Sequence, residues 1–175
     1  MLETVRPLIS AEDVQKRIIE VAEEINRDYG SKPVHLICIL KGGAVFLCEL
    51  AKYLKMPVSF DFMSVSSYRG TQSTGIVRIM KDLDEPLEGK NVILVEDIID
   101  TGRTLNHLKG MLLNRNPNSI RICTLLDKPA GRVEKEVTVD YSAFRIPDKF
   151  VVGYGLDYNQ KYRNLPYIGV VEFQD

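Results

Sequence analysis

Cysteine is scarce and odd in number, with three in 175 residues: Cys38, Cys48 and Cys123. Three widely spaced thiols build no disulfide framework, and aliphatic neighbours such as Ile37 and Ile39 predict buried free thiols in a reducing compartment. Net charge is equally lacking. Lys and Arg total 23 against 24 Asp and Glu, a balance of −1 at pH 7. Bulk electrostatic attraction to nucleic acid or to a membrane surface is therefore excluded, although locally basic sites are not. No apolar stretch approaches the ~18 residues of a transmembrane helix. The stretch from Met1 to Pro7 carries no apolar signal-peptide region. Repeats, low-complexity tracts and Ser/Pro/Gly-rich linkers are missing too. A cytoplasmic protein with no membrane or nucleic-acid partner is the expectation.

What is present is ordinary for a folded chain: 45% hydrophobic and 27% charged residues. The length corresponds to about one domain at ~150 residues per domain. A chain of this size buries roughly 70% of its unfolded surface, without help from disulfides or metal. Ser10 followed by Asp13 resembles a capping box. After it Val14, Ile18, Val21, Ala22 and Ile25 recur at helical spacing until Gly30. Val34 to Leu40 reads as a strand buried on both faces, and Ala44 to Leu54 as a helix. Val58, Phe60 and Phe62 alternate with polar residues in a strand toward Ser64, and Ile76 to Met80 forms another. The acidic residues Asp82, Asp84, Glu85 and Glu88 around Pro86 and Gly89 read as a solvated turn. Asn91 to Val95 and Ser119 to Leu126 are further buried strands, with a helix near Thr104 to Leu113 between them. The remainder reads as short strands with turns. This alternation argues an α/β fold with a mostly parallel central sheet flanked by helices. Ligands in such sheets gather at the carboxyl ends of the strands, so chemistry is expected in the loops after Leu40, Val95, Leu126 and Val152.

The most informative string is Val95-Glu96-Asp97-Ile98-Ile99-Asp100-Thr101-Gly102-Arg103-Thr104-Leu105. A strand ends, two carboxylates follow, and a Gly/Thr turn opens a helix. Free N–H groups at a helix start favour an anion, the Thr101 and Thr104 hydroxyls add donors, and Gly102 permits close approach. The string is neither a Walker loop nor a dinucleotide fingerprint, since both glycine patterns are missing. Glu96 and Asp97 can accept bonds from a ribose diol or lie beside a hydrated Mg²⁺. A 5-phosphorylated ribose presents that diol and a terminal phosphate together.

The string resembles the phosphoribosyl-diphosphate signature of type I phosphoribosyltransferases, and the whole chain from about Val34 to Val171 resembles the hypoxanthine (hypoxanthine-guanine) branch. The resemblance implies one domain over 1–175, with a core of about 30–150 and a small hood from the N-terminal residues and about 150–175. Lys41, Gly42 and Gly43 after Leu40 resemble the pyrophosphate loop, in which the Leu–Lys peptide is often cis. Arg163 matches the pyrophosphate-contacting arginine. Ser66 through Gly75 resembles a mobile lid, with Ser67 and Tyr68 as its Ser-Tyr pair. Lys128 matches the lysine that donates to the purine 6-oxo group, Phe150 the aromatic stacked on the base, and Val151 the residue whose backbone meets the base edge. Asp157 matches the acid near a second Mg²⁺, while Glu96 and Asp97 lie beside the first. Asp100 matches the group facing purine N7, and Arg103 occupies a variable cradle position. His35 and His107 match no catalytic position, and residues 131–136 receive no role.

The implied reaction is Mg²⁺-dependent transfer of phosphoribosyl from phosphoribosyl diphosphate to a 6-oxopurine, in a homodimer or homotetramer. A sister enzyme using xanthine or another base and a nucleotide-sensing RNA-binding regulator stay open. The near-neutral charge, and Asp100, Lys128 and Phe150 together, argue against the regulator. A purely structural protein would not need so many polar residues at strand ends.

Overall fold

The central strands are buried along most of their length, and successive residues enter opposite cores, which builds the layers. A computed structural model describes residues 2–67, 77–134 and 137–174. Its strands are β1 (Leu2–Ile9), β2 (Val34–Leu40), β3 (Val58–Ser67), β4 (Val77–Lys81), β5 (Asn91–Ile99), β6 (Ser119–Asp127), β7 (Tyr141–Arg145), β8 (Val151–Val152) and β9 (Ile168–Gln174). The helices are α1 (Ala11–Tyr29), α2 (Ala44–Ala51) and α3 (Arg103–Leu113). The larger sheet runs β4-β3-β2-β5-β6-β7, with every pairing parallel except β3 with β4. The smaller sheet runs β1-β9-β8 and is antiparallel.

On one face of the large sheet Leu36, Cys38, Ile93, Val95 and Cys123 pack with α1 and α2, and with Val151, Ile168 and Val170 of the small sheet. On the other face Ile37, Ile39, Leu94 and Ile122 pack with Leu105, Leu108 and Leu112 of α3. Neighbours on one strand thus serve opposite layers, as a period of two requires. The small sheet is anchored in the first of these cores. None of the helices among the described residues is long and apolar enough to cross a membrane.

Several sequence expectations are adjusted by this geometry. The strand read as ending at Val95 continues through Ile99, because β6 pairs with it as far as Ile99–Asp127. Glu96 and Asp97 are therefore strand residues, not loop residues. The helix expected to reach Leu54 ends at Ala51, and Tyr53 and Leu54 close short turns on Leu50 and Ala51. The acidic stretch is a turn, tied down where Asp84 and Glu85 donate their N–H groups to Asp61 Oδ2 at 2.9 and 3.0 Å. β1 was not read as a strand at all; its partner β9 lies at the far end of the sequence.

The thiols divide differently from expectation. Cys38 and Cys123 are buried, but Cys48 is exposed, on the face of α2 opposite Phe46, Leu47 and Leu50. Burial, reinforced by Glu96 and Asp97, pushes the Cys38 thiol up to about 12, and burial raises Cys123 as well. Since thiolate is the reactive form, an aromatic disulfide reagent should modify Cys48 alone in the native protein and all three thiols after denaturation. Fast native reaction at Cys38 or Cys123 would contradict this packing.

Candidate active site

β2, β5 and β6 all deliver their carboxyl ends to one edge of the large sheet, and the site is assembled there. The turn from β5 into α3 is the centre. α1 begins with a side-chain cap, since Ser10 accepts the Asp13 N–H at 3.1 Å. α3 begins at Gly102 in the left-handed region, φ 79°, with no side-chain cap. Of its first N–H groups, which no helix can satisfy internally, that of Arg103 makes only a long bond to Thr101 Oγ1 at 3.4 Å. A cavity of about 250 Å³ opens there, lined by Glu96, Asp100, Thr101, Gly102 and Thr104 over an apolar floor that includes Ile39 and Leu105. Volume, hydroxyls and a helix start together suit a phosphate ester. Of the cradle residues read from sequence, Arg103 is outside this lining. It opens α3 with an exposed side chain.

Glu96 lines this cavity and Asp97, the next residue of β5, lies outside the lining; both are half-buried. Burial first, and then the adjacent Asp97 carboxylate, pushes Glu96 well above the ordinary carboxyl range. Burial also raises Asp97, against the Ile98 N–H that donates to its Oδ1 at 2.7 Å. Crowded, partly desolvated carboxylates of this kind favour donors and cations. A hard cation fits this donor set, with remaining ligands coming from water and phosphate oxygens, as Mg²⁺ prefers. Among the described residues no three His, Cys, Asp or Glu side chains cluster as an all-protein metal cage, so Asp157 does not complete one with Glu96 and Asp97.

The loop after β2 approaches this pair through backbone alone. The Leu40–Lys41 peptide is cis. A Cβ on Gly42 would overlap Asp97 Oδ2, and one on Gly43 would lie 3.0 Å from Val95 O. Gly155, at φ 102°, closes from the far side, where a Cβ would overlap Gly42 O. Arg163 is fixed nearby: it donates to Gly155 O at 2.7 Å and to Gln160 Oε1 at 3.3 Å, and pairs with Asp157 Oδ1 at 2.8 Å. Lys41 Nζ reaches the same Gln160 oxygen at 3.3 Å. The pyrophosphate-loop residues and the arginine read from sequence are thus brought together, with Gln160 and Gly155 as shared supports that sequence reasoning missed.

At the other side of the cradle, Lys128 follows directly on β6. Its Nζ lies 3.3 Å from Asp100 Oδ2 and 2.9 Å from Asp148 Oδ1. These contacts, Asp148 foremost, hold the ammonium above the ordinary lysine range against partial burial. Phe150 presents a 58% exposed ring held edge-on by Tyr158 at 5.7 Å and 85°, while Val151 is buried at the start of β8 and pairs with Val170. Residues 131–136, given no role from sequence, include two supports of Asp100. Arg132 Nε donates to Asp100 O at 3.0 Å while its guanidinium pairs with Asp127, and a Cβ on Gly131 would overlap Asp100 Oδ1. No local signal marks these residues, because the group they support, Asp100, lies about thirty residues earlier. Ser67 ends β3, whereas Tyr68 and most of the expected lid lie outside the described residues. His35 is buried against Ser59 and His107 is exposed on α3, both away from this edge.

A phosphate cradle beside paired acids, with a lysine and an exposed aromatic across from it, is the arrangement a phosphoribosyl-transferring enzyme requires. The family model described as the phosphoribosyl transferase domain matches residues 10–159. A hypoxanthine phosphoribosyltransferase of Buchnera aphidicola subsp. Schizaphis graminum is 49% identical over 177 aligned residues, covering 99% of both chains. The crystal structure of a hypoxanthine-guanine phosphoribosyltransferase from Bacillus anthracis superposes with a TM-score of 0.92 at 43% identity, covering 98% of this chain and 100% of that one. A Trypanosoma cruzi hypoxanthine phosphoribosyltransferase in complex with the product IMP gives 0.88 at 42% identity, covering 94% and 92%. The chain belongs to the phosphoribosyltransferase family, in its hypoxanthine and hypoxanthine-guanine branch, and is an enzyme.

The Gly42 contact yields a direct test. Gly42→Ala places a methyl where the Asp97 carboxylate now sits, so loop and carboxylate must separate. Misplacement of about 1 Å costs on the order of 100-fold in rate. A loss of that order in kcat/KM, with little change in melting temperature, is expected. Wild-type kcat/KM would show that the close approach is not needed.

Proposed function

We propose that the protein salvages purines by Mg²⁺-dependent transfer of 5-phosphoribosyl from phosphoribosyl diphosphate to hypoxanthine and guanine, giving IMP or GMP and pyrophosphate. One observation carries the reading. The uncapped start of α3, the Glu96–Asp97 pair and the Lys128–Asp100 pair gather at one edge of the large sheet, and they suit a 5-phosphate, a ribose diol and a 6-oxopurine.

Bond breaking at the anomeric carbon leaves oxocarbenium-like charge on the ribose. The chain must then stabilise departing pyrophosphate and manage the purine proton. Lys41, the Gly42-Gly43 backbone and Arg163 face the first task by offering N–H donors and positive charge to the leaving oxygens. Glu96 and Asp97 would hold Mg²⁺ at the diol, and Asp157 is the acid assigned to a second ion. When bound, the metal supplies charge neutralisation on the diphosphate. Asp100 takes up the proton at purine N7, Lys128 donates to the 6-oxo group, Phe150 stacks on the ring and the Val151 backbone meets its edge. A 6-amino group offers Lys128 a donor where an acceptor is needed, which disfavours adenine. The lid residues Ser67 and Tyr68 would exclude water from the activated sugar. The reading also carries a cytoplasmic homodimer or homotetramer, which light scattering on the purified protein checks.

The deciding assay mixes protein, phosphoribosyl diphosphate, Mg²⁺ and each of hypoxanthine, guanine, xanthine, adenine and uracil, and follows pyrophosphate. Release with hypoxanthine, lost with a chelator and restored by added Mg²⁺, is expected. Release only with another base would overturn the assignment. Asp100→Asn should cut turnover at least about tenfold while sparing sugar-diphosphate binding, since a general base contributes about 10²–10⁴-fold. Unchanged turnover would remove Asp100 from the chemistry. Lys128→Ala should weaken 6-oxopurine use far more than phosphoribosyl diphosphate binding; equal losses would mean that Lys128 serves the fold instead.

A further inference from the structure

We infer that Asp148 is a positioning residue for base recognition: it holds the Lys128 ammonium between two carboxylates, so that one N–H is aimed at the purine 6-oxo group. The inference rests on the base-site reading above and adds a residue to it. Lys128 has three N–H donors. Asp148 Oδ1 at 2.9 Å and Asp100 Oδ2 at 3.3 Å account for two of them. The Lys128 side chain is only 12% exposed, so its remaining directions are few.

Asp148 is well placed for this task. It lies on the connection between β7 and β8, whose near end is pinned where Ile146 donates to Asp127 O at 2.9 Å. Its far end leads through Phe150, the ring assigned to stack on the base. Asp148 and Phe150 are thus two residues apart on one short segment, and Lys128 reaches Asp148 from the end of β6. With Asp100 as sole partner, the ammonium would close onto that carboxylate and compete with purine N7 for its oxygens. The pull of Asp148 from the other side keeps Lys128 off Asp100 and leaves Asp100 an oxygen for N7. The Asp148 side chain is 71% exposed. An ion pair with so wet a partner adds little to stability, so its consequence is in geometry.

Steady-state kinetics on the full chain test this. Asp148→Ala should raise KM for hypoxanthine about tenfold, the scale of one lost charge-assisted hydrogen bond. KM for phosphoribosyl diphosphate should not move, and kcat should fall far less than KM rises. Asp148→Asn, which keeps the shape, should move KM in the same direction and carries the test should the alanine variant unfold. Asp148→Glu should recover most of the loss. In a Lys128→Met background, Asp148→Ala should add nothing, because partners acting through one contact are non-additive. Unchanged KM for hypoxanthine, equal rises for both substrates, or additive losses would each overturn the inference while leaving the base-site reading in place. Hypoxanthine use indifferent to Lys128→Met would overturn that reading, and the inference with it.

Discussion

Two backbones and a carboxylate meet without any intervening side chain at Gly42, Gly155 and Asp97, and the rest of the site depends on that contact. The large sheet contributes Asp97 from β5 and Gly42 from the loop after β2, while Gly155 comes from the segment between β8 and β9. Bulk at Gly155 would force the segment between β8 and β9 away from the loop after β2, and bulk at Gly42 would part that loop from Asp97. Interiors packed at crystal-like density do not absorb such a shift locally. Because Arg163 is fixed through Gly155 O and Gln160, displacement of Gly155 moves the arginine too. The geometry of the leaving-group side is thus set by contacts that have no chemistry of their own.

Charge is arranged with the same economy. Arg163 has Asp157 as a partner, and Lys128 has Asp148 and Asp100. Glu96 and Asp97 have each other, with burial opposing their ionisation. The acidic pair is therefore the frustrated element, and it lies beside the start of α3, where Gly102 offers no side-chain cap. Both features cost stability in isolation, since a glycine in place of a side-chain cap costs roughly a few tenths of a kcal/mol and crowded carboxylates repel. The ligand proposed above, a phosphorylated diol with its cation, would relieve both. Strain placed where a ligand removes it contributes to binding.

Much of this was legible from sequence where the signal is local. Val34 to Leu40 had to be a strand covered on both faces, and the helical spacing from Val14 to Ile25 fixed α1 and its buried stripe. The string from Val95 to Leu105 carried its chemistry openly, because hydroxyls, glycine and acids within eleven residues leave few other uses. Its secondary structure was less legible. Glu96 and Asp97 are polar residues in a strand, which pattern reading ends at Val95; only pairing with β6 extends the strand to Ile99. β1 was invisible because its partner is β9, at the opposite end of the chain. Arg132, Gln160 and Asp148 were missed for the same reason. Each is an ordinary surface residue type, and its meaning lies in the atom it reaches across the fold.

That pattern says where specificity among relatives of this fold can change without touching its motifs. The cradle is local, so its residues are constrained together by one turn and one helix start. The base side of the proposed site is assembled from three separate segments: Asp100 after β5, Lys128 after β6, and Asp148 to Phe150 leading into Val151 of β8. Their mutual distances are set by the β5–β6–β7 ladder and by the Ile146–Asp127 bond, not by any contiguous sequence. A shift in the β7–β8 connection alters what faces the 6-position of a bound base while the phosphate site keeps its geometry. On the proposed reading, 5-phosphate recognition is therefore the rigid part of the site and base recognition an adjustable part, which follows from the lengths of chain that build them.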